Sequence, residues 1–217
     1  MRSIIFFLLS QSILLPIIAG LIRLGRIGKG YQPFFYLLVI GFLTELISFI
    51  LIKGFHTSNA IPVNIYTLLE WTLIACQFHI WGVLRQRKKA FYGVLIFTTL
   101  LWIAENFIFG KITAVVPYFR FFYFFVIVLL SVNMINFMIT HDNRNLFRNP
   151  RFIICIAFII YFIFMIVYFW AYQVSRFGKS EITTAIIFLM AYVNALTNSM
   201  FAIAFLLVPA RVRFKLE

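Results

Sequence analysis

Residues 64–77 have the sequence NIYTLLEWTLIACQ and place an ionisable side chain, Glu70, inside a long apolar run. On helical spacing Tyr66, Thr67, Glu70 and Gln77 share one face, since residues three, four and seven apart lie along one side of a helix. A carboxyl group at membrane depth costs several kcal/mol unless it is paired, protonated or facing water. We therefore expect Glu70 to face the protein interior and to belong to a functional site.

The whole chain is as apolar as this stretch. Of its 217 residues, 64% are hydrophobic and 12% are charged, whereas about half of an average soluble domain is apolar and about a quarter is charged. Such a chain cannot cover its folded surface with polar residues, so its solvent must be lipid. Cys76 and Cys155 lie in apolar runs without the spacing of a metal site or a disulfide framework, and we interpret them as small buried hydrophobes.

Seven apolar segments are long enough, at about 20 residues or more, to cross the ~30 Å hydrocarbon core of a bilayer. They span residues 3–22, 33–52, 62–84, 90–109, 117–140, 152–172 and 182–208. Pro16 lies inside the first of them and predicts a kink there. Because the polar stretches between the segments are short, we expect residues 1–217 to form one all-α domain, a polytopic bundle of seven transmembrane helices.

The distribution of Lys and Arg between alternate loops predicts the orientation of this bundle. Thirteen of the 19 basic residues lie in the first, third and fifth loops and in the C-terminal tail, and five lie on the opposite side. The N-terminus is therefore predicted outside and the C-terminus in the cytoplasm of a multi-pass plasma (inner) membrane protein. We therefore interpret the net charge of +13 as a result of this topology and as a source of attraction to the lipid bilayer. We expect no nucleic-acid partner.

Three polar side chains on different predicted helices reach one level in the outer half of the bilayer. At 1.5 Å of rise per residue from the nearest outer helix end, Glu70 and Gln11 lie at ~12 Å depth and Glu45 at ~10 Å. Two carboxyl groups so close together would share a proton and titrate as a coupled pair. The alternative for Glu45 is plain packing, because polar and small residues also join membrane helices. The predicted ligand- or ion-binding residues are Glu70, Tyr66, Thr67, Gln77, Glu45 and Gln11. We expect Glu70 to face a polar cavity that it shares with Tyr66, Thr67 and side chains of the first, second and seventh helices.

The same estimate of depth predicts two further sets of polar residues that lie close together. Glu105 and Arg120 lie ~5–6 Å below the outer surface on consecutive antiparallel helices, which predicts an ion pair that clamps the two helices. Asn198 and Asn133 both reach ~24 Å, and buried Asn side chains bond across helices. We expect this inner polar cluster either to join the helices through hydrogen bonds or to form an inner gate. Its predicted members are Asn133, Asn136, Asn194, Thr197 and Asn198.

Several site classes are disfavoured. The chain has no glycine-rich loop of the usual phosphate-binding forms. On this topology His56 is outside, His79 is in the inner half and His141 is inside, so they cannot form a zinc site. The helix count resembles that of ceramidase-like hydrolases, and the topology is similar to that of rhodopsins, sugar-transporting SWEETs and the KDEL receptor. The seventh segment has no Lys for a retinal Schiff base, however, and the Pro-Gln motif is missing. We expect no metal and no cofactor.

Two functions from different classes fit these patterns. The first is a receptor- or sensor-like binding module, with a small-molecule ligand in the carboxylate cavity and a cytoplasmic or membrane signalling partner. The second is a small proton- or ion-coupled transporter in which Glu70 and Glu45 titrate. An intramembrane enzyme comes third, because no nucleophile–base pairing is visible. We favour the binding module. A cavity sealed below the glutamates would support it, whereas a continuous polar path across both leaflets would support a transporter.

Overall fold

The computed structural model describes residues 9, 11–23, 25, 27–28, 30–83, 88–115, 117–141, 145–175 and 181–208. Over these ranges the chain is all-helical, contains no β-strand and forms seven α-helices. They are α1 (Leu14–Ile22), α2 (Gln32–Lys53), α3 (Ala60–Trp81), α4 (Lys88–Ile103), α5 (Tyr118–His141), α6 (Pro150–Ser175) and α7 (Glu181–Leu207). Short 3-10 turns precede α1 at Gln11–Ile13 and α6 at Leu146–Arg148, and a π-helical segment, Ala104–Ile108, follows α4.

Five of the described helices are long and apolar enough to cross a membrane, which is typical of a multi-pass membrane protein. These are α2, α5, α6, most of α7, and α4 together with its π-helical segment. The helix α3 is as long as α2, with 22 residues. Its hydropathy is lower because it carries the polar side chains of the Glu70 face, including Asn64 and Gln77. The helix α1 has only nine residues and is shorter than a span.

Pro16 lies in the first turn of α1, near the point where the described helix begins. Its ring nitrogen cannot donate a hydrogen bond to the carbonyl four residues earlier. The chain is 3-10 helical from Gln11 to Ile13 before α1 begins at Leu14. The missing hydrogen bond at Pro16 coincides with the change of helix type at the start of α1. Residues 3–8 of the first predicted segment lie outside the described residues.

Six of the described helices form a closed ring around the centre of the bundle. In this ring α1 packs against α7 and α2, α2 against α3, α3 against α5, α5 against α6, and α6 against α7. The helix α4 lies outside the ring against α3 and α5. Successive helices run antiparallel, so the α1–α2, α3–α4 and α5–α6 connections share one end, which we call the basic end after its Lys and Arg residues. The other end is called the opposite end.

The centre of the ring is filled with aromatic side chains on its basic-end side. The ring centroid of Phe34 lies 5.0 Å from that of Phe201, 5.3 Å from that of Phe205 and 5.8 Å from that of Phe158. Phe78 of α3 lies 6.2 Å from Phe158. Phe34, Phe78 and Phe205 are at most 1% exposed. We call these five phenylalanines the aromatic plug, because their rings pack against one another between the helices.

The end of α3 is set by a glycine. Gly82 has a φ of 105°, a left-handed conformation that a side chain would strain. The N–H groups of Gly82 and Val83 both donate to the carbonyl of Phe78, at 3.1 Å each. Such bonds satisfy carbonyls that the last helical turn leaves free. The helix therefore ends at the basic end immediately after Trp81.

Candidate functional site

A cavity of about 430 Å³ lies between α2, α3, α6 and α7, on the opposite-end side of the aromatic plug. Four of the predicted binding residues line it, namely Glu70, Tyr66, Glu45 and Gln11. They come from α3, α2 and the 3-10 turn before α1. The ring of helices therefore brings side chains from distant parts of the sequence to one cavity, while their binding role stays a prediction.

Glu70 is 7% exposed, and two phenol hydroxyls hold its carboxyl group. The hydroxyl of Tyr123 on α5 donates to Glu70 Oε2 at 2.6 Å. The hydroxyl of Tyr66, one turn earlier on α3, donates to Glu70 Oε1 at 3.2 Å. Tyr66 lines the cavity together with Glu70, whereas Tyr123 does not. One oxygen is thus anchored by a short buried bond, and the other is shared with a cavity-lining residue through a longer bond.

Glu45 lies at the rim of the cavity, since its side chain is exposed although it contributes to the lining. No hydrogen bond joins Glu45 to Glu70 in the part of the chain that the structure describes. One turn further along α2, Ser48 also lines the cavity, and its buried Oγ has no hydrogen-bond partner within the described ranges. The cavity therefore has one buried carboxyl group, a second at its rim and an unsatisfied hydroxyl nearby on α2.

Gly41 allows α2 to approach α3 closely beside this cavity. A Cβ atom added at Gly41 would lie 3.1 Å from the hydroxyl oxygen of Tyr66 and 3.3 Å from Cδ1 of Ile13. Both distances are shorter than ordinary van der Waals contact. The absence of a side chain at this position therefore leaves room for the Tyr66 hydroxyl that bonds to Glu70.

Two of the predicted binding residues have other partners. The Thr67 hydroxyl donates to the backbone carbonyl of Asn64 at 2.7 Å and does not line the cavity. Gln77 lies at the basic end, where its Oε1 accepts from the N–H of Phe34 at 3.0 Å and its Nε2 donates to the carbonyl of Gly30. Seven residues are about 10 Å along a helix. Gln77 therefore lies on the Glu70 face, but beyond the cavity.

The predicted inner polar cluster is divided between two places. Asn194, Thr197 and Asn198 of α7 line the same cavity as Glu70, and Asn198 Nδ2 donates to Ser12 Oγ at 2.9 Å. Asn133 and Asn136 are exposed on α5, which packs against α3, α4 and α6. The prediction of one five-residue cluster is corrected accordingly. Counting residues along a helix gives the depth of each side chain in the membrane. It does not determine how each helix is rotated about its axis or which helices are neighbours.

Glu105 and Arg120 bind separate partners instead of each other. Glu105 Oε1 accepts from the N–H of Tyr118 at 2.6 Å, and its Oε2 accepts from the N–H of Phe119 at 2.7 Å. The carboxyl group therefore caps the first turn of α5, where N–H groups lack helical partners and the helix dipole favours negative charge. The guanidinium of Arg120 donates to Asn64 Oδ1 at 3.0 Å and lies 5.1 Å from the ring centroid of Phe169.

Asn64 is the centre of a hydrogen-bond network at the opposite end of the bundle. Its Nδ2 donates to the carbonyls of Ile112 and Ala114 at 2.8 Å each, and its side-chain oxygen accepts from Arg120. Its backbone carbonyl accepts from the indole N–H of Trp102 at 3.0 Å. This 2% exposed residue thus joins α3 to α4, to α5 and to the loop between them. The sequence analysis assigned Asn64 no role, although it opens the quoted stretch.

Sequence reasoning also missed two tyrosines. Tyr161 of α6 lines the cavity, and Tyr123 of α5 holds Glu70 from behind. The available signal for Tyr123 was its spacing, because it lies three residues after Arg120 and therefore on the same side of α5. No comparable signal distinguishes Tyr161 from the many other aromatic residues of its helix.

The described lining has two carboxyl groups, Glu70 and Glu45, and contains no Lys, Arg or His. Within the described residues, no group of three or more His, Cys, Asp and Glu side chains is placed to hold a metal ion. The imidazole of His79 stacks on Phe91 at a centroid distance of 4.2 Å, away from the lining. The electrostatic character of the described cavity is therefore acidic.

Comparison of the chain with protein-family models, with curated proteins and with solved structures finds no match. The function therefore has to be argued from the geometry of the site. Three of its features carry that argument. They are the volume of the cavity, the groups that line it and the aromatic plug that closes it toward the basic end.

Proposed function

We propose that the chain is an integral membrane binding module, receptor- or sensor-like, whose small-molecule ligand occupies the cavity beside Glu70. All seven predicted apolar segments cross the membrane in this proposal, with the N-terminus outside and the C-terminus in the cytoplasm. The place of α3 in the ring, between α2 and α5, supports its membrane location despite its polar residues. The Lys and Arg distribution supports the orientation. The cavity then lies in the outer half of the bilayer.

The observation that carries this proposal is the aromatic plug below the cavity. Phe158 and Phe201 belong to both the lining and the plug, and Phe34 packs against both of them. Polar lining residues end at this level, and the next turn of α3 toward the basic end carries Phe78, which is fully buried. A carrier would have to open this plug to expose the site to the basic end in turn, whereas a binding module can leave it closed. The plug therefore favours binding over transport.

The dimensions and chemistry of the cavity are those of a small-molecule site. Ligand sites have volumes of roughly 300–1,000 Å³ and combine apolar walls with a few polar groups that orient the ligand. The cavity of about 430 Å³ falls in this range. Its walls combine phenylalanines with the side chains of Glu70, Asn194 and Asn198. A small molecule with a polar head group and an apolar body would be complementary to these walls.

Ligand binding is tested on the purified protein in detergent, by screening a chemically diverse set of small molecules for compounds that raise the midpoint of thermal unfolding. A ligand present at 100 times its Kd stabilises the folded protein by about 2.7 kcal/mol. The cavity is then blocked with Gly41→Leu, whose side chain would displace Tyr66. The matched control is Gly93→Leu, because a Cβ atom at Gly93 on α4 meets nothing within 4 Å.

We expect ligands to stabilise the wild type and Gly93→Leu but not Gly41→Leu. Reconstituted vesicles that contain the protein should not accumulate or exchange the same ligand. Stabilisation that persists in Gly41→Leu would place the ligand elsewhere. Ligand flux across the vesicle membrane above that of empty vesicles would contradict the closed site and favour the proton- or ion-coupled transporter.

A further inference from the structure

We infer that the cavity binds a small organic cation, a protonated amine whose nitrogen is held by Glu70 and Glu45 and whose apolar part lies against the phenylalanines of the cavity wall. The inference rests on the proposed binding function and specifies its ligand. Its starting point is the combination of two carboxyl groups, one unsatisfied hydroxyl and six aromatic rings in the lining of one cavity.

The first argument is charge. The described lining contains two carboxyl groups and no Lys, Arg or His. Arg120 on α5 interacts electrostatically with Glu70, but it does not line the cavity, and its guanidinium donates to Asn64 and lies over the ring of Phe169. An anion entering the cavity would meet unfavourable charge, whereas an ammonium group would pair with a buried carboxylate. Buried charges in proteins are normally paired in this way.

The second argument is the number of acceptors. An ammonium group has three N–H donors and no acceptor. Glu70 Oε1 has a long bond of 3.2 Å to Tyr66, which leaves it able to accept a stronger partner. Glu45 at the rim and the partner-free Ser48 Oγ supply two more acceptors on α2. Three acceptors and no competing cation in the described lining match the three donors of a primary amine.

The third argument is the apolar wall. Phe158, Phe162 and Phe201 line the side of the cavity toward the aromatic plug. Phe158 and Phe162 are at most 2% exposed, and the rings of Phe158 and Phe201 meet edge-on at 5.5 Å. Such rings bury an apolar group and also attract cations to their faces. An amine with an aryl or alkyl body of a few carbons satisfies both parts of the cavity at once.

The test compares three probes that share a phenylethyl group by isothermal titration, namely 2-phenylethylammonium, the neutral 2-phenylethanol and the anionic 3-phenylpropanoate. We expect the ammonium to bind the wild type about tenfold more tightly than the alcohol, and the carboxylate to bind weakest. Glu70→Gln should bring the amine and the alcohol to similar affinity. The matched control is Glu105→Gln, which changes another buried carboxyl group that caps α5 and does not line the cavity. It should retain the preference for the amine.

A second variant, Glu45→Gln, keeps the inference testable if Glu70→Gln does not fold. Glu45→Gln lies at an exposed position, so it should fold, and it should reduce the preference for the amine by a few fold. Equal affinities for amine and alcohol in the wild type, or a preference for the carboxylate, would overturn the inference. If no probe binds but the broader screen yields ligands that Gly41→Leu excludes, the cation assignment fails and the binding function stands. If no compound of any class binds, both fail.

Discussion

Replacing Tyr123 with Phe removes one hydroxyl from a buried position and takes a hydrogen bond from Glu70. Tyr123 is 1% exposed, and the bond to Glu70 Oε2 is 2.6 Å long. Hydrogen bonds to charged groups contribute about 1.5–3 kcal/mol in proteins, and side-chain bonds in membrane proteins average about 0.6 kcal/mol with a maximum near 1.7. Because this bond is short and enclosed, we expect Tyr123→Phe to lower the free energy of unfolding by about 1.5–2 kcal/mol.

The matched change is Tyr66→Phe, which removes the other hydroxyl from the same carboxyl group. Its bond is longer, at 3.2 Å, and Tyr66 lines the cavity, where water can replace the lost hydroxyl. We therefore expect a loss of only about 0.5 kcal/mol. Unfolding of both purified variants is followed by tryptophan fluorescence in one detergent. For a chain of this size, 1 kcal/mol corresponds to roughly 2–4 °C in Tm.

Equal losses for the two variants, or a larger loss for Tyr66→Phe, would refute the reasoning. The hydrogen bond itself is tested by a double-mutant cycle, in which Tyr123→Phe is repeated in a Glu70→Leu background. If the two side chains interact as the geometry indicates, the effect of Tyr123→Phe should nearly disappear there, because residues in contact are not additive. An undiminished effect would assign the cost to packing of the ring.

Three further changes test other parts of the structure. Asn64→Leu should lower the free energy of unfolding by about 3–5 kcal/mol, because it leaves the buried guanidinium of Arg120 without its acceptor. The control Asn133→Leu, at an exposed position of α5, should change the free energy of unfolding by at most about 0.5 kcal/mol. Glu105→Gln should speed hydrogen–deuterium exchange in the first turn of α5, because an amide offers only one acceptor to two N–H groups; unchanged exchange would contradict this capping role. Gly82→Ala should lower Tm because of its φ of 105°, whereas Gly93→Ala in α4 should leave Tm unchanged or raise it; equal shifts would show that backbone strain is not the cause.

The helices could be predicted well from the sequence because their determinants are local. Apolar runs of sufficient length, together with prolines at several of their starts, mark seven segments, and the helices α2 to α7 begin and end close to the bounds of six of them, counting the π-helical segment with α4. In the first segment, predicted over residues 3–22, the described helix α1 begins only at Leu14. The interior location of Glu70 follows from the cost of exposing a carboxyl group to lipid. Gln11 and Glu45 were placed at the Glu70 level by counting residues along their helices, and all three line the cavity.

The contacts between helices could not be predicted in the same way. Counting along the axis placed Asn133 and Asn198 at one level, but Asn133 is exposed on α5 while Asn198 bonds to Ser12. Glu105 and Arg120 were expected to pair, yet the carboxyl group caps α5 and the guanidinium binds Asn64. In both cases another partner was available, and the helical periodicity of the sequence does not indicate it. That partner is either a backbone N–H group or a side chain on an element that is distant along the chain.

The sequence by itself therefore determined the apolar, all-helical character of the chain, the approximate extent of the helices from α2 to α7, the connections that carry basic charge and the level of the main polar side chains. Only the tertiary structure decided that the seventh-helix side chains in the cavity of Glu70 include Asn194 and Asn198, that Tyr123 anchors Glu70, and that the aromatic plug closes the cavity toward the basic end. The physical reason is that hydropathy and helical period act within one segment. The rotation and neighbours of each helix depend on how the surfaces of several helices fit together, as the close approach at Gly41 illustrates.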